Sequence, residues 1–222
     1  MHDLTLYSHP FASFCQKVLI ALYETGIPFE DRVIDLSSAD DRADITAVWP
    51  MGRFPVLVDR AKGVTVPESS IIIEHLATHY PSARRLLPAD ADAAREVRLW
   101  DRLFDMNAEL PMQRIVFDHL RPAENRDPHG VAQARADLRT FYAIAEARLA
   151  GRDWVAGDFS MADCAAAPAL YYAHWVEPFG GALPNLAAYL KRLAARPSHA
   201  RVLADAQPFA GFFPVPMPQP VL

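Results

Sequence analysis

Cysteine is nearly absent from this 222-residue chain: only Cys15 and Cys164 occur, far apart and in no framework spacing. A disulfide scaffold is thereby excluded, and free thiols in a reducing compartment, by default the cytoplasm, are expected. Long apolar runs are missing as well. None approaches the ~20 residues of a membrane span, and the start at His2-Asp3 lacks the basic and apolar regions of a signal peptide. Positive charge is sparse and scattered: Lys and Arg total 22 against 27 Asp and Glu. The pairs Arg84-Arg85 and Lys191-Arg192 fall far short of a basic stripe, so neither nucleic acid nor an anionic membrane is an expected partner. His75 and His79 stand four apart, a metal-ligand spacing, but no third ligand accompanies them and no metal is expected.

What is present suits a soluble globular chain with ample core, built as one large domain or two small ones. Residues 3–8 alternate as a strand, and 14–25 carry Phe14, Val18, Leu19 and Leu22 at helical spacing. Gly26 stands just past that helix as its stop. Strand 29–36, a short polar helix 39–48, strands 55–59 and 64–66, and helix 69–80 complete a βαβαββα order, which periodicity alone identifies as α/β. Pro81 to Pro88 breaks the pattern. Beyond it only helices are predicted, over 90–120, 131–150, 161–177 and 184–206. The expected division is 1–80, a linker 81–89, a helical domain 90–207 and a Pro-rich tail 208–222. The tail's prolines resist helix, and Phe209, Phe212 and Phe213 suggest a segment laid across the body.

Two phrases carry chemistry. Pro55 opens an apolar strand, Phe54 to Asp59; proline there marks a sheet edge or a special, cis peptide bond. Val56 could then offer its backbone to an extended peptide. In the second phrase, Pro67-Glu68-Ser69-Ser70, Ser69 falls at a helix N-terminus, whose free N–H groups hold anions. Glu68 beside it suits an ammonium. Together these describe a receptor for a small zwitterionic peptide.

These phrases, with Leu6-Tyr7-Ser8 followed by Phe11 to Leu22, and with Phe159-Ser160-Met161-Ala162-Asp163, resemble the glutathione transferase family in order and spacing. The resemblance runs nearly end to end. It implies a thioredoxin-like N-terminal domain that binds glutathione as co-substrate, an all-α C-terminal domain, and a homodimer. The implied reaction is attack of the glutathione thiolate on a small electrophile. Glutathione-dependent cis–trans isomerisation of a dicarboxylic alkene, or a binding module without chemistry, are the alternatives.

Only the thiolate of glutathione is a good nucleophile. Lowering a thiol pKa by ~2 units takes about 2.7 kcal/mol. A single charge-assisted hydrogen bond supplies roughly that. Ser13, at the start of the first helix, is the candidate hydroxyl; its competing role is a plain helix cap. In serine- and cysteine-type members the active residue matches Ala12, which has no donor, so backbone N–H groups are a further possibility. Cys15 falls on the expected core face with Leu19 and Leu22, and Tyr7 sits mid-strand, where packing is expected. Glu68 and Ser69 could alternatively be a capping pair. Arg53 and Arg42 are candidates for the glycine carboxylate of glutathione. Phe11, Gln113, Arg114 and Phe117 are expected around the second substrate, with Pro111 kinking their helix. Ser160 and Asp163 read as a capping box, structural and not chemical.

Overall fold

The computed structural model describes residues 3–80 and 84–215. Its first half runs β1 (Leu4–Ser8), α1 (Ser13–Thr25), β2 (Glu30–Val33), α2 (Ala39–Val48), β3 (Val56–Asp59), β4 (Val64–Pro67) and α3 (Ser69–His79). The sheet order is β2-β1-β3-β4. β1 and β2 are parallel, while β3 is antiparallel to β1 and to β4. The expected βαβαββα thioredoxin-like arrangement is thus observed.

α1 ends where Gly26 adopts φ 66° and returns its N–H to Leu22, a left-handed stop that glycine makes without steric cost. The helix packs against α3 on one side and against C-terminal helices on the other, so every residue from Cys15 to Leu22 is buried. α2 is polar by contrast. Ser38 caps it by accepting from the Asp41 N–H, and it covers a small satellite core of Ile34, Ile45 and Val56.

The second half contains α4 (Ala91–Phe104), a π-helical turn (Asp105–Glu109), α5 (Leu110–His119), α6 (Pro128–Leu149), α7 (Met161–Val176), α8 (Pro184–Ala194) and α9 (Pro197–Ala206). The helix expected over 90–120 is one path, but its distortion is a widened turn just ahead of Pro111. A proline ring collides with the carbonyl four residues back and has no N–H to return; a π-turn absorbs both defects. The helix expected over 184–206 is two, because Pro197 takes the first position of α9 after an extended Arg196. α6 starts earlier than expected: Asp127 caps it through the Gly130 N–H, with Pro128 at its first position. The tail differs too. Gln207–Phe212 form a 3-10 turn, which proline tolerates at its start. Phe213 lies across the body, 4.7 Å from Trp175 and 5.9 Å from Tyr172 between ring centroids. Residues 81–83 of the expected linker and 216–222 of the tail lie outside the described residues.

One apolar core runs from Leu4, Leu6 and Leu57 in the sheet, through Val18 and Ile20, to α7. Among the described residues, no helix is long and apolar enough to cross a membrane. The Ser160–Asp163 capping box forms at the start of α7 as expected. The Asp163 carboxylate, fully buried, accepts from the N–H groups of Ser160 and Val155 and from the Tyr189 hydroxyl.

Candidate functional site

The strand register gathers the first group of residues. Tyr7 of β1 faces Val56 of β3, and Val56 faces Pro67 of β4. The last residues of β1 and β4 and the first residue of β3 therefore share one end of the sheet. α1 and α3 both begin at that end, each with its N-terminus forward. Phe54–Pro55 is a cis peptide, as Pro55 suggested. β3 is a central strand, however, so the proline marks the peptide bond and not a sheet edge. Across from Val56, Pro67 brings no N–H to the ladder. The Phe54 ring stacks on His9 of the β1–α1 loop, with centroids 6.3 Å apart.

Glu68 holds φ 70°, the sole non-glycine positive φ among the described residues. Such backbone costs about 1–3 kcal/mol and collects at functional positions. Glu68 is the N-cap of α3 but makes no side-chain cap, so the capping alternative for Glu68 and Ser69 is not realised. The first main-chain bond back into the helix is Ile72 N–H to Glu68 C=O, which leaves the N–H groups of Ser69, Ser70 and Ile71 without helical partners. Glu68 is exposed and Ser69 buried. An exposed carboxylate and a cluster of free helical N–H groups thus stand side by side. Arg53 is exposed on the loop before Phe54. Arg42 instead gives its guanidinium to the Leu36 carbonyl at 2.5 Å and braces the approach to α2.

Ser13 is the first residue of α1, and Ala12 is its N-cap without a side-chain bond; the simple-cap role for Ser13 is therefore excluded. Its hydroxyl donates to the carboxylate of Glu109 in the π-turn. Ser13 lines a cleft too tight for water together with Lys17, Asp105, Glu109 and the α7 residues Ala165, Pro168 and Ala169. Burial pushes the Glu109 carboxyl up to about 7, against the hydrogen bonds of Ser13 and Gln113, which pull it down. One turn along α1, the buried Lys17 ammonium meets Asp101, Asp105 and the Ser70 hydroxyl. Burial raises the Cys15 thiol far above its usual range. With no exposed surface, Cys15 is the small core residue its spacing suggested. Tyr7 packs against the Ile34–Ile45–Val56 cluster, and burial raises its phenol as well.

Of the residues expected around a second substrate, three share one hollow, and Phe11 does not line it. Phe11 packs edge-on against Tyr172 and Phe213, with centroids at 5.4 and 6.4 Å. Gln113, Arg114 and Phe117 instead line a hollow of about 320 Å³ between α5 and the start of α6, with Leu110, Arg121 and Val131. Gln113 donates its amide to Glu109 at 2.9 Å. His75 gives its ring to Asp59 at 2.8 Å, and among the described residues no cluster of three metal-ligating side chains occurs.

Lys17, Ser70, Asp101, Asp105 and Glu109 were missed in the sequence. A signal existed. Asp101, Asp105 and Glu109 recur every four residues on one helix face, as do Ser13 and Lys17 on α1, and the two rows meet.

Comparison with known proteins agrees with this architecture. The family model described as glutathione S-transferase, N-terminal domain, matches residues 6–84, and the C-terminal domain model matches residues 111–197. Glutathione S-transferase 3 of Zea mays is 31% identical over 229 residues, spanning 99% of this chain and 98% of that protein. Glutathione S-transferase GstB of Escherichia coli is 27% identical over 203 residues, spanning 90% and 97%. A solved glutathione S-transferase from Methylobacterium radiotolerans, in complex with glutathione sulfonate, is 30% identical with a TM-score of 0.76 over 90% of this chain and 93% of that one. With both family models and a full-length relative in agreement, this chain belongs to the glutathione S-transferase family.

Proposed function

We propose that the protein is a glutathione transferase that binds glutathione at the sheet end, stabilises its thiolate and adds it to a small electrophile. The observation that carries this reading is the convergence at one sheet end of cis-Pro55 with Val56, strained Glu68, and the free N–H groups of α3. Glutathione is a zwitterionic peptide. Val56 pairs with its extended backbone, Glu68 takes its ammonium, and Ser69 with the α3 N-terminus takes the neighbouring carboxylate. Arg53, exposed on the loop before Phe54, takes the second carboxylate. The thiol then falls toward the start of α1, where the N–H groups of the first turn and the Ser13 hydroxyl favour negative charge. Solved relatives with bound glutathione compounds support the ligand.

We read the working unit as a homodimer, in the cytoplasm, with a role in detoxification. Two buried, unbridged cysteines suit a reducing compartment. Leu99, Met106, Leu110 and Phe117 form a stripe of large apolar side chains, each more than two-fifths exposed, along α4, the π-turn and α5. A second copy would cover it.

A binding module without chemistry is the second reading, and one observation favours it: Ala12 has no donor, while Ser13 gives its hydrogen to Glu109. The isomerase alternative is not favoured, since Gln113 is engaged by Glu109 and Arg114 lies with the α5–α6 hollow. Calorimetric titration with glutathione and with an S-alkyl glutathione, alongside ultraviolet thiolate absorbance, separates the readings. The transferase reading expects both to bind and only glutathione to give the thiolate signal. Absence of binding sinks both readings of the site, and binding without thiolate leaves the module.

A further inference from the structure

Ser13 presents a conflict that its neighbours resolve. A hydroxyl has one hydrogen, and here it is directed at the Glu109 carboxylate. While Glu109 is ionised, that hydrogen cannot also stabilise a sulfur anion. Glu109 sits at the end of the π-turn with 2% of its surface exposed. One oxygen takes the Ser13 hydroxyl and the Gln113 amide, and the other has no hydrogen-bond partner among the described residues. A buried carboxylate with an orphan oxygen costs several kcal/mol unless it gains a proton.

We propose that Glu109 is the acceptor of the glutathione thiol's proton, reached through the Ser13 hydroxyl. The proposal rests on the glutathione-transferase reading given above. In the step, the thiol S–H proton passes to the Ser13 oxygen as the Ser13 hydrogen passes to the Glu109 carboxylate. The S–H and the original Ser13 O–H bonds break, and two O–H bonds form. Sulfur keeps its electron pair. Ser13 ends neutral, with its new hydrogen directed at the thiolate, and Glu109 ends as the neutral acid donating to the Ser13 oxygen. Charge moves from the carboxylate to the sulfur, and nothing enters or leaves the site. Glu109 touches no substrate; it positions Ser13 and stores the proton.

The surroundings suit an acceptor that works near neutrality. Burial lifts its carboxyl to about 7, the range in which a base balances ionisation against proton affinity. The groups facing it are Ser13 and Lys17 from α1, Asp105 on its own turn, Gln113 from α5 and Tyr172 from α7. Asp105 raises its proton affinity, while Lys17 and the two hydrogen bonds lower it. The cleft is too tight for water, so the serine hydroxyl is the conduit.

The test counts protons and thiolate on the same sample. Glutathione is titrated into the whole protein slightly above pH 7, in buffers of different ionisation enthalpy, with thiolate absorbance read in parallel. The wild type should form thiolate while releasing well under one proton per thiolate to the buffer. Glu109→Gln should lose about a hundredfold in kcat/KM, bind glutathione within about twofold of wild type, and release a full proton for any thiolate formed. Glu109→Asp should restore part of the proton retention. Gln113→Leu, at the partly exposed rim, covers the case of a misfolded Glu109 variant. It removes a bond that holds the acid down, so proton retention should persist to higher pH. One proton released per thiolate by the wild type, or a Gln113→Leu profile equal to wild type, overturns the relay while leaving the transferase reading intact. A wild type that binds no glutathione takes both down.

Discussion

The Lys17 ammonium lies 2.7 Å from the Asp101 carboxylate, and each side chain is 1% exposed. The same ammonium reaches Asp105 and Ser70 at 2.8 Å, so one lysine ties α1 to α3, α4 and the π-turn. Two carboxylates face one cation in a dry site. Removing one partner of a buried pair typically costs ~3–5 kcal/mol, because the other charge is stranded. Lys17→Met should lose about that much in denaturant unfolding, and more than Arg98→Met, whose pairing with Glu74 lies at the surface. Equal melting of Lys17→Met and wild type would show that the acids share protons and need no lysine.

Much of the N-terminal half was legible because its signals are local. α2 spans the residues read from its polar composition, Gly26 stops α1 as read, and Ser160 and Asp163 cap α7 within four residues of each other. The cis peptide at Pro55 and the helix start at Ser69 were legible because each is marked by residues at or beside its own position. The Ser13–Glu109 contact was not, since 96 residues separate the partners and acids on a helix are normally solvated. The π-turn was hidden for a related reason. Sequence periodicity assumes 3.6 residues per turn, and Asp105–Glu109 depart from it to accommodate Pro111.

Glu68 is strained and, in the proposed function, holds the ligand's ammonium; the two roles separate by mutation. Glu68→Gly relieves the positive φ and should raise stability by roughly 1 kcal/mol, while weakening glutathione binding. Glu68→Gln and Ser69→Ala should raise the glutathione Kd about ten- to hundredfold, the size of a charged hydrogen bond worth ~1.5–3 kcal/mol. Calorimetry and thermal melts on the three variants check this. Unchanged affinity in Glu68→Gln would remove the ammonium assignment.

Glu109 makes stability depend on pH with a definite sign. Its folded-state pKa of about 7 lies above the ordinary 4.5, so the folded state binds its proton more tightly than the unfolded one. The resulting stabilisation is complete below about pH 4.5 and is lost as pH rises to about 7, a span worth roughly 3 kcal/mol. Urea unfolding of wild type and Glu109→Gln across that window isolates it, because other acids contribute equally to both. The difference between the two should shrink in favour of the variant as pH rises. Parallel curves would place the Glu109 pKa near its ordinary value.

Asp163 should matter for folding and not for chemistry. Its carboxylate accepts from the Ser160 and Val155 N–H groups and from Tyr189, fixing the loop before α7 to α8. Asp163→Ala loses a cap worth ~0.5–2 kcal/mol and leaves buried donors unpaired at ~1–3 kcal/mol each. A lowered melting temperature with near-normal turnover per folded molecule is expected. A variant that melts like wild type but is inactive would move Asp163 into the site.

The proposed homodimer has a specific surface to lose. α4 through α5 is apolar on two faces: Trp100, Phe104, Met112 and Ile115 are buried in the core, while Leu99, Met106, Leu110 and Phe117 remain exposed. Glu74 of α3 binds Arg98 at 2.7 Å beside Leu99, and Ile71, one turn earlier on α3, is 54% exposed. A stable interface needs roughly 800 Å² per partner, so α3, with Ile71 exposed, should take part as well. Leu99→Glu with Met106→Glu would bury two charges against a second copy. These changes should yield a folded monomer by light scattering at micromolar concentration, while wild type scatters as a dimer. A wild type that is already monomeric, or a dimer that survives both charges, would mean that this stripe is not the contact.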